Sequence, residues 1–217
     1  MNKEISETML KSHTSIVGLV CKDGVVVAAD RRATAGTLVY SKDERKVKKI
    51  NDYIVIAITG GVADALISEK ILAAELRLQE LRNKSRPTVK EAANLAGMMF
   101  YKNIRTPSML PFIVGFLVGG VNEDGSTELY TIEPAGAVSR VKDYDANFSS
   151  GMPFMLGLLE RTYKKDITVK EGVELAKECI KSSTQRDTGS GNGIDIIAIT
   201  KDGANQVVSE EILPQYK

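Results

Sequence analysis

The sequence is poor in the residues that most often build catalytic and metal sites, with one histidine, two cysteines and no tryptophan among 217 residues. Ser-His-Asp or Cys-His catalysis would have to use the single histidine, His13, and a histidine-rich metal site is excluded. A hydrolase with this composition must therefore find its base among lysines, carboxylates and amines. The 29 basic and 28 acidic residues give a formal net charge of +1, so no overall field attracts nucleic acid or an anionic membrane.

The two cysteines, Cys21 and Cys179, lie far apart, and neither belongs to a Cys-x-x-Cys pair. This usage argues against a disulfide framework or a zinc site and favours two reduced core thiols in a cytosolic protein. Residues 1–13 lack the apolar segment of a secretory signal, and the nearest approach to a membrane span, residues 110–120, has only the length of a strand. We expect a soluble cytoplasmic protein with no metal or cofactor and no nucleic-acid or membrane partner.

Hydrophobic spacing predicts the order strands, two helices, strands, two helices, strands. Short apolar runs that flank turn sequences predict hairpins at residues 22–24, 51–52 and 202–203. Helical spacing covers residues 63–82, 88–101, 153–163 and 169–183. In the first helix the predicted apolar stripe consists of Leu66, Ile67, Ile71, Leu72, Leu76, Leu78 and Leu81. The order is not a strict alternation of strand and helix, and it predicts one layered α+β domain with helices outside two sheets.

Two glycine motifs have competing interpretations. Asp187-Thr188-Gly189 matches the signature of aspartic proteases, but it follows the polar end of a helix and not an apolar strand, which favours a plain turn. A phosphate-binding loop is disfavoured there because the order runs from helix to strand. Thr59-Gly60-Gly61 runs from strand to helix without the Lys-Ser/Thr ending of a P-loop, and backbone N–H groups in such a turn can stabilise an oxyanion.

A group of reactive side chains is predicted to meet near the start of the first strand. The hairpin at residues 22–24 returns Asp30 to a position across from about Ile16 or Val17, within a few residues of Thr14. Lys46 opens the next strand, where neighbouring cations and partial burial favour a neutral amine. The alternatives are that Asp30 only terminates its strand and that the charged run 43–49 is a solvated face.

A hydroxyl nucleophile without a usable histidine can be an N-terminal threonine whose own α-amine acts as the base. For Thr14, that chemistry requires a cut between His13 and Thr14. Residues 1–13 would then be a propeptide.

At these positions the sequence resembles proteasome β subunits, particularly the archaeal kind, within the N-terminal-nucleophile hydrolases. The resemblance rests on four segments: TSIVG (14–18), KDGVVVAADRR (22–32), TGGVADA (59–65) and RDTGSGNGID (186–195). It implies a four-layer αββα sandwich of two antiparallel sheets flanked by helices, with residues 14–217 as the peptidase domain. It also implies heptameric β rings stacked between α rings, and cleavage of unfolded polypeptide delivered by a regulatory ATPase.

The resemblance also assigns roles to individual residues. Thr14 would be the nucleophile, with Asp30 and Lys46 completing its triad. Lys46 would assist removal of the hydroxyl proton, and Asp30 would hold Lys46 charged and oriented, in contrast to the neutral amine that its neighbouring cations favour. Gly60 would present its N–H to the oxyanion and line the substrate site. The other implied residues are Asp187 and Ser190, which would support the threonine amine; Thr34, which would pair with substrate backbone as an added strand; and Ala33, Ile58 and Val62, which would line an apolar specificity pocket.

Two residues depart from the family pattern. His13 stands where the family has glycine, and its Cβ restricts the backbone at the bond to be cut. Met152, in the segment 149–153, aligns with a serine whose hydrogen bonds a thioether cannot replace. The intact Thr14, Asp30 and Lys46 favour an active threonine endopeptidase. The departures favour an unprocessed or weakly active structural β subunit in a mixed ring, and an amidase outside the proteasome is a third alternative.

Overall fold

The computed structural model describes residues 13–212, so residues 1–12 of the expected propeptide lie outside the described residues. Strands and helices follow one another in the predicted blocks. Their bounds are β1 (Ile16–Cys21), β2 (Gly24–Asp30), β3 (Ala33–Ala35), β4 (Leu38–Ser41), β5 (Val47–Lys49), β6 (Ile54–Gly60), α1 (Val62–Asn83), α2 (Val89–Ile104), β7 (Val114–Val121), β8 (Thr127–Ile132), β9 (Val138–Arg140), β10 (Tyr144–Asp145), α3 (Met152–Thr162), α4 (Val169–Thr184), β11 (Gly193–Thr200) and β12 (Gly203–Glu211).

The strands form two five-stranded antiparallel sheets and one small hairpin. Within the described residues, the first sheet has the order β10-β1-β2-β11-β12, the second has the order β5-β6-β7-β8-β9, and β3 pairs with β4. The predicted hairpins are confirmed, since β1 pairs with β2, β5 with β6 and β11 with β12. The short strand β3 was not predicted, because three residues carry too little periodicity to read.

The inner strands β1, β2 and β11 of the first sheet are buried on both faces, which explains their nearly continuous apolar sequences. Along β2, Val25 and Val27 face the second sheet, while Val26 and Ala28 face α3 and α4, as the alternation of strand side chains requires. Helices α1 and α2 cover the far side of the second sheet. There the ring of Phe100 on α2 packs edge-on against the ring of Phe116 on β7, with 4.8 Å between the ring centroids. The result is the predicted four-layer αββα sandwich.

Helix α1 departs from its predicted apolar stripe. It faces the sheet with Ala65, Ser68, Leu72 and Leu76, which recur at helical spacing and are almost fully buried. Four of the predicted stripe residues lie on a different face and are exposed, namely Ile67, Ile71, Leu78 and Leu81. The prediction was wrong there because α1 has two apolar faces, and hydrophobic spacing alone does not say which one meets the sheet. Within residues 13–212, no helix has the length and apolar character needed to cross a membrane.

The buried amide of Asn147 fastens the loop before α3 to the second sheet. Its Nδ2 lies 2.8 Å from Thr131 Oγ1 and 3.1 Å from the carbonyl oxygens of Phe116 and Ile132. Its backbone has a left-handed φ of 48°. Ser150 follows three residues later in the same loop, so this anchor limits how far the serine can move relative to the second sheet.

We expect Asn147→Ala to lower the free energy of unfolding by about 2–4 kcal/mol, because it leaves buried acceptors unpaired and places alanine at a left-handed φ. Urea denaturation measures the change. Asn94 on the exposed side of α2 provides the matched control, and Asn94→Ala should change the same quantity by less than about 0.5 kcal/mol. Equal effects of the two substitutions would contradict the anchoring role.

The two cysteines are free and lie in the core between the first sheet and its helices. Burial raises the pKa of both thiols from 9.0 to about 12. At pH 8 the reactive thiolate fraction is therefore about a thousandfold lower than for an ordinary thiol, and it grows only as the pH approaches 12. We expect iodoacetamide to modify the native chain far more slowly than the urea-unfolded chain at pH 8, as mass spectrometry can measure. Equal rates would contradict this burial.

Candidate active site

The buried side chain of Thr14 lies just before β1 and is only 3% exposed. Its hydroxyl donates to the carbonyl oxygen of His13 at 2.7 Å. Its backbone nitrogen donates to Ser150 Oγ at 2.8 Å, and its carbonyl oxygen accepts from the nitrogen of Gly151 at 3.1 Å. The threonine is thus held on both sides of its α-carbon, with its hydroxyl against the peptide bond that joins it to His13.

Asp30 is delivered to this region by the hairpin between β1 and β2. The register pairs Ile16 with Ala29, and the nitrogen of Asp30 donates to the carbonyl oxygen of Ser15 at 3.0 Å. The expected partner was Ile16 or Val17, so the prediction was one residue away. The carboxylate is fully buried, and Oδ1 accepts in turn from the nitrogen of Ser15 at 2.9 Å.

Lys46 approaches the same carboxylate from the second sheet. Its Nζ lies 2.6 Å from Asp30 Oδ1, and the lysine is only 6% exposed. The residue immediately precedes β5, and its carbonyl oxygen accepts from the nitrogen of Ile58 on β6. The Asp30–Lys46 pair therefore joins the two sheets beside the threonine, and Lys46 and Thr14 line one cavity.

Asp187 lies in the loop between α4 and β11 and reaches the threonine through a serine. Its Oδ2 accepts from Ser150 Oγ at 2.6 Å and from Ser190 Oγ at 2.5 Å. Since Ser150 Oγ also accepts from the nitrogen of Thr14, the structure joins Asp187 and Ser190 to the backbone of the threonine. The Asp-Thr-Gly segment is a helix-to-strand turn, as its position after a polar helix end indicated.

The hydroxyl beside the threonine belongs to Ser150, not to residue 152, and this corrects the sequence comparison. Met152 is the first residue of α3 and packs against the core between the first sheet and its helices. Sequence analysis missed Ser150 because the segment 149–153 offers two serines and no spacing that says which one faces inward. The neighbouring Gly151 lies so close to Ser15 that a Cβ there would collide with Ser15 Oγ, and Ser150 just before it bonds to Thr14.

Arg32 clamps the loop that carries Asp187, and sequence analysis did not single it out. Its Nη1 donates to the carbonyl oxygen of Thr188 at 2.8 Å, and its Nε donates to Asn192 Oδ1 at 2.8 Å. Gly191 has a φ of 154°, and a Cβ there would collide with the guanidinium. The backbone nitrogen of Arg32 donates to Asp30 Oδ2 at 2.9 Å. Arg32 therefore contacts Asp30 through its backbone and the loop that carries Asp187 through its side chain.

The cavity beside Thr14 is also lined by every residue that was predicted to contact substrate. These residues are Ala33, Thr34, Ile58, Gly60 and Val62. Gly60 ends β6 with a φ of 107°, and a Cβ there would collide with the backbone of Ile113. Glu44, Arg45 and Lys48 line the cavity too, so its wall is partly charged, which the predicted apolar pocket did not include.

Two antiparallel sheets stacked between pairs of helices, with a buried threonine leading into the first strand, define the N-terminal-nucleophile hydrolase fold. The family model described as "Proteasome subunit" matches residues 10–199, and the chain belongs to that family.

Three similar proteins illustrate the relationship. The chain is 39% identical to the "Proteasome subunit beta" of Archaeoglobus profundus over 209 residues, which are 96% of this chain and 94% of that protein. It is 39% identical to the protein of the same name from Methanocaldococcus jannaschii over 92% of this chain and 87% of that protein. It is 38% identical to the "Proteasome subunit beta 2" of Pyrococcus abyssi over 92% of each chain.

We expect Asp30→Asn to lower the free energy of unfolding by about 3–5 kcal/mol, because each carboxylate oxygen accepts two hydrogen bonds and an amide NH₂ must face two donors. It also leaves the ammonium of Lys46 buried without its partner. Urea denaturation of the unassembled chain measures the change. The partly exposed Lys48–Glu69 pair provides the control, and Glu69→Gln should cost less than about 1 kcal/mol. Similar costs for both variants would contradict the central role of Asp30.

Proposed function

We propose that the chain is a threonine endopeptidase subunit of a proteasome core particle, with Thr14 as its N-terminal nucleophile after self-removal of residues 1–13. The observation that carries the proposal is the buried Thr14 hydroxyl, 2.7 Å from the carbonyl oxygen of His13 and beside the Asp30–Lys46 pair. The family membership and the similarity to archaeal proteasome β subunits support it.

Self-cleavage begins when Thr14 Oγ1 attacks the carbonyl carbon of His13. An ester bond forms between His13 and the threonine side chain as the C–N peptide bond breaks, and the hydroxyl proton ends on the departing nitrogen of Thr14. Water then hydrolyses the ester. Residues 1–13 leave with a terminal carboxylate, and Thr14 keeps its hydroxyl and gains a free α-amine.

Substrate cleavage repeats this chemistry with the new amine as the base. The amine takes the hydroxyl proton while Thr14 Oγ1 attacks a substrate carbonyl, and the proton passes to the leaving amine of the substrate. Water hydrolyses the resulting ester and releases the second product. Ser150 and Asp187 orient the amine, the charge of Lys46 favours loss of the hydroxyl proton, and Asp30 orients Lys46. Gly60 lines the same cavity, where its N–H would face the oxyanion.

The substrate is an unfolded polypeptide that adds a strand beside Thr34 and places an apolar side chain against Ala33, Ile58 and Val62. The proposed partners are other β subunits in a heptameric ring, α-subunit rings on either side, and a regulatory ATPase that delivers substrate. The two buried free thiols support a reducing compartment such as the cytoplasm.

A second candidate is a structural β subunit that keeps residues 1–13. His13 in place of the family's glycine favours it. Met152 no longer does, because Ser150 supplies the hydroxyl that the methionine was expected to remove. Both candidates agree with the family membership, and they differ in whether the bond between His13 and Thr14 is ever cut.

Processing of the full chain, assembled with its partner subunits, tests the proposal. We expect intact mass spectrometry to show loss of residues 1–13 and a new N-terminus at Thr14. Thr14→Ala should keep all of those residues and lower turnover of a fluorogenic peptide with an apolar residue before the cut by about a thousandfold or more. Thr14→Ser keeps a hydroxyl and is the matched control, so it should still be cut.

Retention of residues 1–13 in fully assembled wild-type particles would overturn the proposed peptidase and favour the structural subunit. Wild-type turnover by Thr14→Ala would instead remove Thr14 from the mechanism.

A further inference from the structure

The His13 side chain, which precedes the bond to be cut, has a defined binding place. Its Nδ1 lies 3.2 Å from Thr34 Oγ1, and the residue is half-buried. Its β-carbon and ring lie directly against the backbone of Gly189. These contacts come from two separate segments, the hairpin formed by β3 and β4 and the loop between α4 and β11.

Gly189 is needed for space and not for its backbone conformation. Gly60 and Gly191 have positive φ angles of 107° and 154°, whereas the φ of Gly189 lies outside that left-handed range. If Gly189 carried a Cβ, the three heavy atoms nearest to it would all belong to His13, including Cα at 2.9 Å. The missing side chain at residue 189 therefore leaves the room that the side chain at residue 13 occupies.

The same loop also holds the other side of the scissile bond. The nitrogen of Gly189 donates to Asp187 Oδ1 at 3.1 Å, and Asp187 Oδ2 accepts from Ser150, which accepts from the nitrogen of Thr14. The loop thus contacts His13 on the acyl side and, through Ser150, Thr14 on the amine side. A shift of His13 against Gly189 would move the carbonyl relative to the Thr14 hydroxyl that bonds to it.

We propose that Gly189 and Thr34 form a receptor for the His13 side chain, and that this receptor positions the His13–Thr14 bond for self-cleavage. The inference rests on the proposed function. It makes Gly189 and Thr34 positioning residues that determine which side chain is accepted before the cut. Histidine at residue 13 is then matched to its site and is not an obstacle to processing.

A double-mutant cycle on the full chain, assembled with its partner subunits, tests the fit between residues 13 and 189. Intact mass spectrometry follows the rate at which the N-terminus at Thr14 appears in wild type, Gly189→Ala, His13→Gly and the double variant. We expect Gly189→Ala to slow cleavage about tenfold when residue 13 is histidine and less than about twofold when it is glycine. Equal slowing in both backgrounds, or none with histidine, would overturn the receptor.

The hydrogen bond to Thr34 is tested by two pairs of similarly shaped variants. His13→Asn keeps a polar atom next to Cγ, whereas His13→Leu has the same branching without one. We expect the leucine variant to be cut about fivefold more slowly than the asparagine variant. Thr34→Val, which keeps the shape of threonine without its hydroxyl, should be cut as slowly as the leucine variant, and Thr34→Ser, which keeps the hydroxyl, should be cut faster than Thr34→Val. Equal rates for His13→Asn and His13→Leu would overturn this contact. If Gly189→Ala does not assemble, this comparison alone tests the receptor.

Thr14→Ala, carried through the same measurement, separates the two levels of the proposal. If the wild-type chain is not cut, or if Thr14→Ala is cut, the proposed function fails. If the wild-type chain is cut and Thr14→Ala is not, but residues 13 and 189 show no coupling, only the receptor fails.

Discussion

The carboxylate of Asp30 joins its own segment to three parts of the chain that are distant from it in sequence. Its Oδ1 accepts from the nitrogen of Ser15 and from Lys46 Nζ, and its Oδ2 accepts from the nitrogens of Arg32 and Gly191. It thereby ties the start of the first strand, the edge of the second sheet and the loop before β11 to one buried point. Because no solvent reaches this carboxylate, water cannot replace it as the acceptor for these four donors. The geometry around the threonine therefore depends on Asp30.

A second aspartate completes the arrangement on the opposite side of the threonine. Asp187 acts through Ser150 on the nitrogen of Thr14, while Asp30 binds Lys46, which lines the same cavity as Thr14. Asp30 ends strand β2 and Asp187 lies in the loop between α4 and β11, and the two carboxylates accept from different backbone groups. In the proposed mechanism, this division would let the hydroxyl of Thr14 serve as nucleophile and its α-amine as base, without a catalytic histidine.

Much of this arrangement could be predicted from the sequence, and the failures have physical causes. The turn at residues 22–24 fixes a register, so the position of Asp30 followed from local sequence within one residue. The sequence placed Lys46 near Asp30 only as the start of the next strand, because hydrophobic spacing does not say how the two sheets that this contact joins would stack. Ser150 was missed because the orientation of segment 149–153 depends on contacts such as that between Gly151 and Ser15. Those two residues are 136 apart in sequence, so local sequence does not show the contact.

Arg32 contacts both parts of the site. Its backbone nitrogen donates to Asp30 at the end of β2, and its guanidinium donates to Thr188 and Asn192 in the loop before β11. In genetic terms, this makes the two halves of the site epistatic. A change that loosens the guanidinium also alters the loop from which Gly191 donates to Asp30, so the two sets of contacts share one perturbation. The effect of a substitution near Asp30 therefore depends on the residues present in the loop before β11, and the reverse also holds.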